Sequence, residues 1–334
     1  MILKLILMLL RGDTEFDVET GQILFSRFLK GEPTSRPAFV PLIGGVLPRV
    51  AGISLQELTA DATLWANSLQ KTVELFNFDG VVLGFDISLM AEACGCGISW
   101  EEDRPVVSCP AVSVCQVPEE NGRMQYALEA GRRVVSVCGS DRACIVALTG
   151  PATLSAQLFG REQGAGRAAD CKGLLVRITE EFCRLRPHGL VFMEEGSLIT
   201  AEMNAAQRRI YNTLKNIAGY YNIPAGLYLQ GYQSGTLSPF ADLKLDFYIL
   251  GPSHAGGLPV LSDLWELGAH ALGVGIGLPV DNLEQTREFI REGAAYCRAG
   301  AGRGFFFTSC GEVDRSVDLD VLRQVTEEVR QFRP

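Results

Sequence analysis

Four residues far apart in the chain, Asp86, Glu195, His254 and Cys310, each follow a short apolar run, and their types are those that move protons or hold metals. A carboxylate on a desolvated floor can hydrogen-bond a substrate or act as acid or base, and a loop histidine titrates near neutrality. A cysteine in such a place can be a metal ligand or a reactive thiolate. Each also has a plain structural alternative. Asp86 can cap the helix that follows it. Of the neighbours Glu194 and Glu195, one points inward and the other to solvent; Glu195 is taken as the functional one, although spacing alone does not decide. His254 lies in the Gly- and Pro-rich stretch 251–257 and can make ordinary loop hydrogen bonds, and Cys310 can be a buried, inert thiol.

The elements that must position these residues are the apolar runs themselves. They are Ala38–Ile43, Gly80–Gly84, Ala143–Thr149, Leu190–Met193, Ala225–Leu229, Phe247–Leu250, Ala271–Ile276 and Gly304–Phe307. They lack clean alternation, which suits strands buried on both faces. Most are separated by enough chain for a helix, so the pattern predicts a single α/β domain, a (β/α)8 TIM barrel. Catalytic groups in such a barrel sit at the C-terminal strand ends, which adds Gly44, Gly45, Gln230 and Ser253 to the candidate binding residues. Residues 1–36 read as an N-terminal helical extension packed on the barrel and 37–334 as the barrel. A helix running from Leu55 to Phe76 opens on a Ser54/Glu57 capping box, and further helices are expected over Glu119–Val137, Arg167–Arg186, Glu202–Gly219, Leu258–Leu267, Asn282–Ala299 and Leu319–Phe332. Asp281 with Glu284, and Asp318, mark the starts of the last two.

Composition narrows the function. With 39 acidic against 30 basic residues the formal net charge is −9, and no basic stripe with interleaved aromatics occurs, which argues against nucleic acid as a partner. The apolar start Met1–Leu10 is too short to cross a bilayer and reads as a docked terminal segment, so a cytoplasmic protein without a membrane partner is expected. Ten cysteines without a secretory signal suggest free thiols in a reducing compartment. The series Cys94, Cys96, Cys109, Cys115 has no zinc-finger or ferredoxin spacing. The glycines at 273, 275 and 277 do not make a dinucleotide fingerprint, although their amides and those at 310–311 could hold phosphate.

From about Phe28 to Val329 the chain resembles the uroporphyrinogen decarboxylase superfamily. The resemblance rests on Lys30-Gly31-Glu32-Pro33 through Arg36-Pro37, Gly84-Phe85-Asp86, Glu92-Ala93-Cys94-Gly95-Cys96, Gly150-Pro151-Ala152-Thr153-Leu154 and Thr308-Ser309-Cys310-Gly311, in that order. It implies the same barrel. In the decarboxylase branch it implies an arginine-rich loop after the first strand, where this chain has Leu42, Ile43, Gly44, Gly45 and Val46, and a tyrosine where it has Gln157. Eight substrate carboxylates would meet an apolar loop there. In the methyltransferase branch it implies zinc held by a His-x-Cys pair and a late cysteine; the cysteine is Cys310, but the pair falls at Tyr228 and Gln230. Zinc would therefore need other donors, with Cys310, Glu195 and His254 as the candidate ligands. The function expected is a corrinoid-dependent methyltransferase moving a methyl group between a small methylated or methoxylated compound and a cobalamin on a corrinoid-binding partner protein, with Asp86, Glu195, Tyr228 and His254 as acid candidates. The small molecule can be donor or acceptor, and a homodimer is left open. A decarboxylase or lyase acting on a smaller acid, or a non-catalytic binding barrel, are the alternatives.

Overall fold

The computed structural model describes residues 19–84, 86–110, 122–198, 205–254, 256–298 and 304–333. Its main sheet contains β1 (Gly80–Leu83), β4 (Ala143–Thr149), β5 (Gly189–Glu195), β6 (Ala225–Gln230), β7 (Phe247–Leu250), β8 (Gly273–Leu278) and β9 (Gly304–Ser309), side by side in that order. Every neighbouring pair is parallel. The first apolar run, Ala38–Ile43, takes the remaining place between β9 and β1 without becoming a strand. Val40 N–H donates to the Phe307 carbonyl (2.8 Å), Phe307 N–H to that of Ala38 (2.8 Å), and Asp79 N–H to that of Phe39 (2.9 Å). Pro41 has no N–H, which limits the segment to isolated bridges. Seven strands and this extended stave make a TIM-like barrel surrounded by helices.

The interior and the outer layer have separate apolar clusters. Val40, Leu42, Val82, Ile145, Val191, Ile249 and Phe306 fill the barrel, whereas the larger cluster lies between sheet and helices. The helix Gly21–Lys30, capped by the Thr20 hydroxyl, adds Phe25 and Phe28 to the interior cluster. Both rings meet Phe306 edge-on or tilted, with centroids 5.2 and 5.1 Å away. This helix is the described part of the expected extension; Met1–Leu10 lies outside the described residues. No helix among them is long and apolar enough to cross a membrane.

Two features depart from the sequence reading. The stretch Leu55–Phe76 is two helices: Leu55–Thr59, opened by the Ser54/Glu57 capping box, and Ala62–Phe76, opened by Asp61, whose carboxylate accepts from Thr63 and Leu64. An antiparallel hairpin of β2 (Gly97–Glu101) and β3 (Arg104–Cys109) is inserted after β1. Smaller differences lie at helix starts. Asp318 caps Leu319–Gln331 as expected, but in Leu283–Arg298 the side chain of Asn282, not Asp281, accepts from Gln285 N–H (3.1 Å).

Candidate active site

A cavity of about 740 Å³ occupies the C-terminal end of the barrel. Asp86, Gln157, Glu195, Tyr228, Gln230 and Cys310 line it, so six candidates from four strand ends and one helix converge although they span the chain. The β3 end of the hairpin, including Cys109, forms another wall. Gly44, Gly45, Ser253 and His254 are not in the lining. His254 is exposed, its N–H bound to the Tyr232 carbonyl (2.8 Å), and the Ser253 N–H turns back on Gly257 (3.0 Å).

Asp86 combines its cap with an ion pair. Its Oδ1 accepts from the Ser88 N–H (2.8 Å) and hydroxyl (2.6 Å), and its Oδ2 from Arg123 Nη1 (2.6 Å). Arg123 also donates to Glu92 (2.6 Å), and its guanidinium lies 5.1 Å from the Trp100 ring centroid. One buried arginine thereby ties the end of β1 to the hairpin. Three protein donors already aim at the Asp86 carboxylate, which suits an acceptor and positioning role.

Glu194 and Glu195 have opposite environments. Glu194 is the inward one, and it is saturated: it accepts from the N–H groups of Ala152 (2.9 Å) and Thr153 (2.8 Å), the Thr153 hydroxyl (2.5 Å) and the Tyr211 hydroxyl. It therefore caps the helix Pro151–Phe159, the part of the chain that begins Gly-Pro-Ala-Thr. Burial pushes its carboxyl above the ordinary range, against the pull of those four donors. Glu195 is half-buried, accepts from the Ser197 hydroxyl (3.0 Å) and lines the cavity.

The floor is made by Tyr228, whose hydroxyl sits so close to Gly251 that a Cβ there would be 2.2 Å away. Only glycine allows this approach. Burial, with the nearby Cys310 thiol, raises the Tyr228 phenol well above its ordinary range. Burial pushes the Cys310 thiol up to about 12, so it is a protonated thiol at neutral pH in the metal-free protein.

The donors do not fit a zinc site. Among the described residues no three His, Cys, Asp or Glu side chains are grouped to hold a metal. Cys310 and Glu195 share the cavity but the exposed His254 does not join them, and Tyr228 and Gln230 are poor zinc ligands. No step is assigned to zinc. Of the earlier cysteine series, Cys94 and Cys96 are buried and Cys115 lies outside the described residues.

Glu312 is a cavity residue the sequence did not single out. Its side chain is open to the cavity yet surrounded by protein, and a Cβ on Gly44 would lie 2.2 Å from its Oε1. Gly44 is thus the space the carboxyl occupies. Burial pushes the Glu312 carboxyl up to about 7; Arg104 and the Gly45 amide oppose the rise, and Asp86 and Asp314 add to it. The signal was faint: Glu312 comes just past the Thr308–Gly311 motif, and its partner glycines come from the other end of the chain.

Known proteins bear on the fold. The chain superposes on a methyltransferase from Methanosarcina mazei with a TM-score of 0.73 at 18% identity, covering 94% of this chain and 99% of that one. It superposes less closely on a B12-independent methionine synthase from Shewanella sp. W3-18-1 in complex with selenomethionine, with a TM-score of 0.54 at 14% identity, covering 80% and 86%. No curated protein sequence matches it. Residues 20–185 match the uroporphyrinogen decarboxylase (URO-D) family model, and this URO-D family domain contains Asp86, Gln157 and the Gly150–Leu154 motif.

Proposed function

We propose that this protein transfers a methyl group between a small methylated or methoxylated compound bound in the barrel-top cavity and a corrinoid nucleophile carried by a partner protein. The observation that carries this reading is the character of the loop after the first stave. Leu42 and Val46 stand where the decarboxylase branch is implied to have arginines, and both are buried in apolar surroundings. The charged group that reaches this loop is the Glu312 carboxyl. A substrate with many carboxylates would find repulsion where it needs pairing. A cavity of about 740 Å³ with apolar walls at Ile87, Val106 and Met193 suits a small, largely apolar donor instead. The likeness in fold to a methyltransferase agrees with this reading.

The residues have divisible tasks. The Asp86–Arg123 pair fixes the β1 end and, through Trp100, the hairpin wall, which excludes water from one side of the donor. The corrinoid supplies the strong nucleophile when its carrier docks. Where the methyl leaves from oxygen, the leaving atom needs a proton, and Glu312 has a carboxyl that exchanges one near neutrality.

The test mixes the full chain with reduced cobalamin and a panel of methoxylated and N-methylated compounds, then repeats it with the cognate corrinoid protein. Protein-dependent methylation of the corrinoid, read from its visible absorption, is expected with at least one donor. Asp86→Asn should lower that rate about tenfold or more by loosening Arg123. No methylation with any donor and either corrinoid form would reject the reading.

A further inference from the structure

The charged groups in the cavity wall do not cancel. Arg104 pairs with Asp314 on the exposed side of the hairpin, and Asp86 pairs with Arg123. Glu195 and Glu312 have no lysine or arginine within 4.0 Å among the described residues. The other lining cation among these residues, Arg161, is exposed. Glu312 is the stronger case, because the glycine at 44 leaves room for its carboxyl and the Gly45 amide is the hydrogen-bond donor it receives from the protein.

A second observation points the same way and does not depend on charge. Gln157 lines the cavity, and its Nε2 donates to the Ile87 carbonyl (3.0 Å), which sets the orientation of the amide. Its Oε1 is buried with no protein donor. A buried acceptor left unfilled is costly unless a ligand fills it. Two carboxylates that the protein satisfies only in part, each with one donor, and one amide oxygen that it does not satisfy therefore stand beside apolar walls.

Building on the methyl-transfer reading, we propose that the small-molecule substrate is a methylated ammonium ion, its charge met by Glu195 and Glu312 and an N–H taken by Gln157. Its chemistry suits a site in which Asp86 is already occupied by three donors. When a methyl group leaves an ammonium nitrogen, the C–N bond breaks, its electron pair returns to nitrogen, and a neutral amine departs. The carbon bonds to the incoming nucleophile's electron pair, and the protein supplies no proton. Loss of the positive charge also weakens product binding to the two carboxylates, which favours release.

The experiment compares a charged compound with its neutral carbon isostere. N,N-dimethylethanolammonium and 3-methyl-1-butanol differ in having N–H⁺ or C–H at one centre. Calorimetric titration of the full chain at pH 8 should show the cation binding about tenfold more tightly. In a Glu195→Gln, Glu312→Gln double variant the two affinities should converge, and circular dichroism should show the fold retained. Gly44→Ala, which crowds the Glu312 carboxyl without removing it, is a second variant expected to weaken cation binding selectively. Absence of a preference for the cation in the native protein, including no binding of either compound, would overturn the proposal, as would a preference that survives in the double variant. The two readings fail separately: methyl transfer from neutral methoxylated donors with no cation preference defeats this proposal alone, whereas cation preference with no methyl transfer from any donor defeats the methyltransferase reading alone.

Discussion

The two ends of the barrel treat a carboxylate in opposite ways, one burying it and the other leaving it open. At the N-terminal end Asp79 is enclosed and fully engaged: Arg36 donates to both of its oxygens (2.6 Å each), Phe39 N–H adds a third bond (2.9 Å) and Arg330 a fourth (3.2 Å). Phe25 and Phe28 close that end. At the C-terminal end Glu312 is surrounded by protein but kept open to the cavity by a glycine, with its hydrogen-bonding capacity largely unfilled. Saturation ties two segments far apart in the sequence to the sheet, those that carry Arg36 and Arg330. Incomplete pairing is what a ligand site requires, since a saturated carboxylate has nothing left to offer a substrate.

The sharpest test of the contrast is at the bottom. Asp79→Ala leaves Arg36, which is 8% exposed, without its counter-ion. Stability should fall by about 3–5 kcal/mol in denaturant unfolding. The cavity lies at the other end, so cation binding by the folded fraction should be retained. A loss below about 1 kcal/mol would mean that the network is no more than an ordinary surface cluster.

Glu194 brings the bottom's logic to the top. It belongs to the same strand end as Glu195 and also borders the cavity, yet its four protein donors commit it to the fold. Glu194→Ala removes the acceptor for two N–H groups, a threonine hydroxyl and a tyrosine hydroxyl. The expected cost is about 2–3 kcal/mol, with a loosened helix 151–159 and weaker binding as a consequence. Glu195→Gln should leave stability within about 0.5 kcal/mol. If the two substitutions cost the same, the division between these neighbours is wrong.

The sequence made the staves legible because strands buried on both faces are nearly continuous apolar runs: Ala143–Thr149 and Phe247–Leu250 have the expected bounds. The first run failed to become a strand for a local reason, the missing N–H of Pro41. The hairpin was hidden for a different one. Its turn places Glu102 and Asp103 at φ of 48° and 64°, a conformation usually announced by Asn or Gly. Convergence of the strand ends brought Asp86, Glu195, Tyr228, Gln230 and Cys310 to one cavity. Which of them is open to a ligand depended on contacts no spacing encodes, such as the claim of Ser88 and Arg123 on Asp86 and the closeness of Glu312 to Gly44.

The smallest expected effect tests the open carboxyl directly. Folding raises the Glu312 carboxyl from the ordinary 4.5 to about 7, so the folded chain holds this proton more tightly than the unfolded one. Its contribution is therefore most favourable below about pH 4.5, declines as pH rises through the window to 7, and is flat above it. Arg104 on the hairpin, Asp86 after β1, Asp314 on its own loop and the Gly45 amide all face the group and remain in Glu312→Gln, so the difference between native protein and variant isolates it. Because the cavity admits solvent, the change across the window should be modest, about 1 kcal/mol or less, with the variant gaining on the native protein as pH rises. Cation binding should run the other way, strengthening from pH 6 to 8 in the native protein and remaining level in the variant. Unfolding curves at half-unit intervals measure the first and titrations at the same pH values the second. A native-to-variant difference that stays constant from pH 4.5 to 7 would show Glu312 as solvated as a surface residue, and the contrast between the two ends of the barrel would fail there.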